Sequence, residues 1–277
     1  MRAAVLGYGV AAYAVFLVTF VYAMGFVANV GVPKSIDSGP RGPVWTALLV
    51  NAALLMVFVV QHTIMARPAF KRWWIRFVPK AMERSTFVLL ASAALALMMW
   101  QWRPIGGTVW AVEGGWLRGP LMAVSAAGWG LVLYASFLID HFDLFGLRQV
   151  WLHFRGRPYT MHPFTERSLY RRVRHPLMLG FLIAFWATPL MSAGHLFFAV
   201  LVTGYVLVGI WFEERDLLRH LGPAYAAYRQ RTPMLVPWRR VQRAEVPASA
   251  AGAALERRAC ESLTEPARAL RSDAAAG

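Results

Sequence analysis

An all-α, polytopic membrane helical bundle is the fold class this sequence predicts. It has about six spans (five to six) and is closed by a cytoplasmic C-terminal helix and a flexible tail. Three observations predict it. Hydrophobic residues make up 58% of the 277 positions, and mean hydropathy is +0.44. Charged residues reach 16%, against roughly 25% in soluble domains. Apolar runs of about 17 to 25 residues, long enough to cross a bilayer, recur along the chain. The composition excludes a disordered chain, and the single cysteine, Cys260, excludes a small disulfide-stapled domain.

The runs follow in order. Tyr8–Asn29 is too long for the apolar stretch of a secretory leader, and its A-x-A triplet, Ala12-Tyr13-Ala14, falls near its start, so it reads as a retained anchor. Val44–Ile64, Thr86–Trp102 and Leu121–Ile139 come next. Leu177–Met191 and Leu196–Phe212 form a hairpin around Ser192-Ala193-Gly194-His195. Leu177–Met191 is the shortest, about 22 Å as a helix. A five-span alternative treats this last pair as re-entrant and keeps every important loop on the same side.

Net charge is +15. Nucleic-acid binding needs basic residues clustered on a soluble domain, whereas here they occupy short loops and the C-terminal segment. Residues 67–84 hold six Arg or Lys, residues 148–174 seven, and the segment from Arg215 eleven; the intervening loops hold two each. By the positive-inside rule the rich loops and both termini are cytoplasmic. Twenty-six Arg against three Lys point to a GC-rich bacterial genome and so to a bacterial inner membrane. The expected division is a membrane-embedded domain over 1–243 and a flexible cytoplasmic tail over 244–277. The tail is too poor in large apolar residues to fold alone, and Cys260 within it reads as an incidental thiol.

Ionisable groups at hydrocarbon depth cost roughly 2.5–3.5 kcal/mol each, so their positions carry information. His62, Glu83, Arg84, Asp140, His141, Asp143, Arg174, His175, Glu213, Glu214, Arg215 and Asp216 all fall at the basic boundary. The other boundary offers little beyond Asp37, Glu113 and His195. Helix ends meet water anyway, which accounts for the arginines. It accounts less well for Glu213-Glu214 at a helix C-terminus, where the dipole disfavours carboxylates. Pro176 suits a first helical turn and sets His175 beside free N–H groups fit for an anion; a plainly capped helix start is the competing reading. Gly180 clears a helical face for a ligand or a helix. Gly222-Pro223 ends one helix and starts another. On it Tyr225 and Tyr228 share a face, as interface anchors or as walls for an aromatic base. No metal site is read: His141, His153, His162 and His175 are irregularly spaced.

Arg174-His175-Pro176-x-x-x-Gly180, with Glu213-Glu214-x-x-Leu217, Gly222-x-x-Tyr225-x-x-Tyr228, Pro233 and Pro237, resembles the isoprenylcysteine carboxyl methyltransferase superfamily. A second layer is similar to its nurim-related branch and, within it, to the methanethiol S-methyltransferases: Pro33-Lys34-Ser35-Ile36-Asp37-Ser38-Gly39, Asp140-His141-Phe142-Asp143-Leu144-Phe145-Gly146-Leu147-Arg148-Gln149, and Arg174 through Gly180. This layer runs from Val32 through Pro237. Met178 stands where carboxyl methyltransferases usually carry tyrosine, so their acceptor pocket does not transfer.

The resemblance implies S-adenosyl-L-methionine as cofactor, bound within about 140–237, and a small thiol, methanethiol, as acceptor. On it, Arg174 would pair with the cofactor carboxylate, Glu213 and Glu214 would accept from its amino or ribose groups, and Tyr225 and Tyr228 would flank the adenine. His175, Pro176 and Gly180 would shape the helix start. The thiolate is the nucleophile, so His141 is the expected base, oriented by Asp140 or Asp143; a cationic cofactor would also acidify the thiol by itself. Alternative acceptors are a lipid amine, a prenylated thiol or a carboxylate. The same branch also holds nuclear-envelope proteins, which leaves a non-enzymatic reading.

Overall fold

The computed structural model describes residues 1–112, 114–160 and 166–237. The 243/244 boundary, the tail, Cys260, Glu113 and His162 lie outside the described residues. Five helices are long and apolar enough to cross a membrane: α1 (Arg2–Ala28), α2 (Val44–Ala66), α4 (Glu83–Gln101, preceded by a 3-10 turn), α5 (Gly115–Ile139) and α9 (Ala193–Leu221). The chain is a polytopic helical bundle, at the lower of the two expected counts. Short helices α3 (Pro68–Trp74), α6 (His141–Leu144), α7 (Leu147–Phe154) and α10 (Pro223–Arg231) join the spans at the end where Arg and Lys collect, called here the basic end.

The run Leu177–Met191 departs from expectation. It forms α8 (Pro176–Trp186), an 11-residue helix of about 16 Å, roughly half a bilayer core of about 30 Å. Pro189 is the cause, because it lacks an N–H and pushes Thr188 out of the helical region. The chain continues extended into β2 (Leu190–Ser192), which pairs antiparallel with β1 (Thr108–Ala111), so a small sheet joins the expected all-α fold. Non-helical backbone beside lipid needs internal partners. Val112 N–H donates to Pro189 O at 2.8 Å, Trp110 Nε1–H to Thr188 O at 3.0 Å, and Ala193 N–H to Gly107 O at 2.8 Å.

Helices in a bilayer associate through close fit, since lipid is as apolar as leucine. The α5–α8 crossing shows it. A Cβ on Gly128 would lie 2.6 Å from Ala184 N, and one on Gly180 would lie 2.8 Å from Gly128 O. Gly180 therefore admits a helix. Around this crossing Trp129 stands edge-on to Phe20, Phe181 and Phe185, with centroids 5.4, 5.9 and 5.6 Å away. Phe26, Met98, Trp102 and Phe198 complete the core, so α1 is part of the packed bundle.

At the opposite end Trp45, Trp100 and Trp116 are exposed, as in an interfacial belt. The Pro33–Gly39 segment closes that end. Ile36 is fully buried, its carbonyl accepts from Trp102 Nε1–H at 3.1 Å, and Asp37 accepts from Asn29 Nδ2 at 2.8 Å and from the Ser192 hydroxyl.

Candidate active site

The densest polar cluster forms where α8 begins against the end of α9. Glu214 is buried, and its partners are two guanidinium groups and an imidazole. Arg174 Nε–H donates to its Oε1 at 2.7 Å, His175 Nε2 lies 3.1 Å from the same oxygen, and Arg229 Nε lies 3.2 Å from Oε2. Glu213 turns outward, its side chain 51% exposed, with Oε2 at 3.6 Å from His175 Nδ1. Arg229 is equally exposed at 51%. The unfavourable position of two carboxylates at a helix C-terminus is thus offset by the guanidinium groups of Arg174, just before α8, and of Arg229 on α10.

The segment after α10 straps this cluster. Arg174 N–H donates to Pro233 O at 2.9 Å and His175 N–H to Met234 O at 3.1 Å, while Arg174 Nη1 reaches the carbonyls of Arg229 (3.1 Å) and Thr232. Pro233 and Pro237 keep the strap extended, and Leu235 packs among Val206, Ile210 and Met178. Arg174 is thereby committed to Glu214 and to backbone, and the outward guanidinium is that of Arg229, which sequence reasoning missed. Tyr225 and Tyr228 are buried at 1% and 2% exposure, with ring centroids 5.7 Å apart. Tyr228 O–H donates to Tyr170 O at 2.5 Å. Burial, with Glu214 second, pushes the Tyr225 hydroxyl up to about 12, and burial raises Tyr228 as well. These tyrosines hold α10 down on the helix start.

The Asp140–Gln149 motif folds as one tight unit at the end of α5. Asp140 Oδ1 accepts from Asp143 N–H at 3.0 Å, capping α6. Gly146, at φ +89, packs so near α4 that a Cβ would meet Ser85 N at 2.7 Å. Asp143 accepts from Arg148 at 3.1 Å and from Tyr159 O–H at 3.0 Å. His141 is 3% exposed, stacked on Phe137 at 4.3 Å. Its Nδ1 lies 2.8 Å from Ser136 Oγ, and its Nε2 lies 2.7 Å from the Tyr13 hydroxyl. Ser136 Oγ–H donates to Leu133 O at 2.6 Å, so Ser136 accepts from Nδ1–H and Nε2 accepts from Tyr13. The orienting role expected of Asp140 or Asp143 falls to Tyr13 and Ser136. Burial holds His141 below its ordinary value, with Asp140 opposing weakly.

Comparison with known proteins gives the context. The chain is 56% identical over 231 residues to a methanethiol S-methyltransferase of Mycobacterium tuberculosis, covering 83% of this chain and 95% of that one. The chain belongs to the methanethiol S-methyltransferase family. A second relative, methanethiol S-methyltransferase 2 of Bradyrhizobium diazoefficiens, is 53% identical over 238 residues, 85% of this chain and 91% of its own. Nurim of Mus musculus is 29% identical over 175 residues, 60% and 66% of the two chains. No family model and no solved structure matches.

In this methanethiol S-methyltransferase family member, Arg174, His175, Glu213 and Glu214 come together as one cluster, with Pro176 buried at the first turn of α8. Asp140, His141 and Asp143 form a second cluster on the α5–α6 side. Tyr134 O–H lies 3.1 Å from Ser168 Oγ, tying α5 to the turn before Arg174.

Proposed function

We propose that this chain transfers a methyl group from S-adenosyl-L-methionine to methanethiol, releasing dimethyl sulfide, in a bacterial inner membrane with its basic end cytoplasmic. The observation that carries the reading is 56% identity across nearly the whole length of a methanethiol S-methyltransferase. The greater identity and coverage of the enzymes over nurim favours catalysis over a scaffold role.

The residues at the α8 start fit such a donor. Glu213 and Arg229, both half exposed and both bound to the buried cluster around Glu214, present one acceptor and one charged donor, matching an amino group and a carboxylate. Arg174, His175 and Glu214 fix those two side chains, and Tyr225 with Tyr228 locks the cap that carries Arg229. When bound, the donor supplies an electrophilic methyl on a sulfonium. What the protein contributes is positioning of acceptor and donor in line. Both His141 nitrogens are engaged, so a base role there would run through the Tyr13 hydroxyl.

The test is headspace detection of dimethyl sulfide over purified protein given labelled donor and methanethiol. Labelled dimethyl sulfide is expected. Donor binding without transfer to methanethiol would overturn the acceptor, and absence of donor binding would overturn the reading altogether.

A further inference from the structure

We propose that the acceptor thiol binds in a crevice between α2 and α9 and gives its proton to Nδ1 of His62. This rests on the small-thiol reading above. His62 lies one turn before the basic end of α2 and is enclosed by aromatic rings. Its Nδ1 is buried with no hydrogen-bond partner among the described residues, and the same holds for Gln61 Oε1 beside it. Buried polar atoms are nearly always paired, so an orphan calls for an explanation. Around the imidazole stand Phe58 (5.3 Å between centroids), Phe87 (5.0 Å) and Tyr205 (6.5 Å), three aromatic walls from α2, α4 and α9. A small, polarizable sulfur suits such walls.

Space and direction come from α9. Tyr205, Gly209, Phe212 and Asp216 recur at intervals of four, three and four, so they share one helical face. That face meets α2: Phe212 lies under Arg67 at 4.5 Å, and Asp216 pairs with Arg67 at 3.1 Å, closing the crevice at the basic end. Between Tyr205 and Phe212 the face is bare, since a Cβ on Gly209 would meet nothing within 4 Å. Val208, next to Gly209 on α9, is exposed, so this stretch of the helix borders lipid, where an apolar thiol concentrates. One turn beyond Gly209, about 6 Å along the axis, is Glu213 of the donor cluster. The acceptor site and the donor cluster are therefore neighbours along α9.

The step balances. The S–H bond breaks as Nδ1 takes the proton, and the sulfur electron pair forms the new S–CH3 bond. The old carbon–sulfur bond breaks with its pair returning to the donor sulfur, which becomes a neutral thioether, and the imidazolium releases its proton to water at the basic boundary.

The experiment compares wild-type protein with Gly209→Leu, His62→Ala and His62→Gln, measuring kcat and KM for methanethiol and donor affinity by calorimetry. Gly209→Leu fills open space, so it folds. It is expected to raise KM about tenfold or more, one factor of ten being about 1.4 kcal/mol. The His62 variants are expected to lower kcat about a hundredfold, the low end for general-base loss. Donor affinity stays unchanged in all three. Active wild type with all variants within twofold in kcat and KM overturns the inference while leaving the function intact. Wild type that binds donor yet ignores methanethiol overturns the acceptor reading and this inference together. Should His62→Ala fail to fold, His62→Gln and Gly209→Leu decide.

Discussion

His62 and His141 are two interior imidazoles at the same end of the bundle, and their surroundings differ in one respect. His141 closes a chain of hydrogen bonds from Tyr13 through its own ring to Ser136 and Leu133 O. His62 sits among rings of similar kind, yet its Nδ1 has no partner among the described residues. Aromatic enclosure alone therefore does not distinguish a packing histidine from a reactive one. What distinguishes them is whether the lone pair is already occupied, because a filled acceptor cannot take a proton without first surrendering a bond.

The strongest perturbation of a matched site is Glu214→Ala. It leaves Arg174 and His175 buried without their carboxylate, and a loss of about 3–5 kcal/mol is expected. Thermal unfolding in detergent reads it, and an unchanged Tm would break the claim that this cluster is internally matched. Tyr13→Phe strips the partner from His141 Nε2 and should cost about 1–3 kcal/mol, with donor affinity intact by calorimetry. A smaller effect is the pH dependence of His141. Its folded pKa lies below the ordinary 6.5, so its contribution is present above that value and is lost as pH falls through the folded one. Tm should drop on acidification from pH 7 to 5, and His141→Gln should flatten that slope. The smallest stability change belongs to His62→Leu. Replacing an orphaned polar group by an apolar one of similar shape is near neutral or stabilising, so Tm should hold while turnover collapses. A large fall in Tm would mean that His62 is a packing residue like His141.

Much of the fold was legible because hydropathy is a local property. Four of the five long helices and most of α9 follow their apolar runs. Pro189 was an available signal for the early end of α8, overlooked because the run around it is uniformly apolar. In the candidate site, Arg174, His175, Glu213 and Glu214 were legible as charges out of place at helix ends. The pairing of His141 was not. Its acidic neighbours in sequence looked like natural partners, but Asp140 is engaged in capping its own turn, as short acidic side chains commonly are. The true partner of Nε2, Tyr13, is 128 residues away. Arg229 was hidden for the same reason, within a basic stretch that reads as an ordinary membrane-surface flank.

By itself the sequence determined that this chain lives in a bilayer, roughly where its long apolar helices run, and which boundary collects its ionisable side chains. Each of these follows from composition and spacing within a single segment. Only the tertiary structure decided which faces meet: that Gly180 receives α5, that Tyr13 reaches His141, and that Tyr205 of α9 meets His62. In lipid one apolar face is as acceptable to the solvent as another. Helix partners are therefore chosen by close steric fit and by the few polar atoms that must find one another.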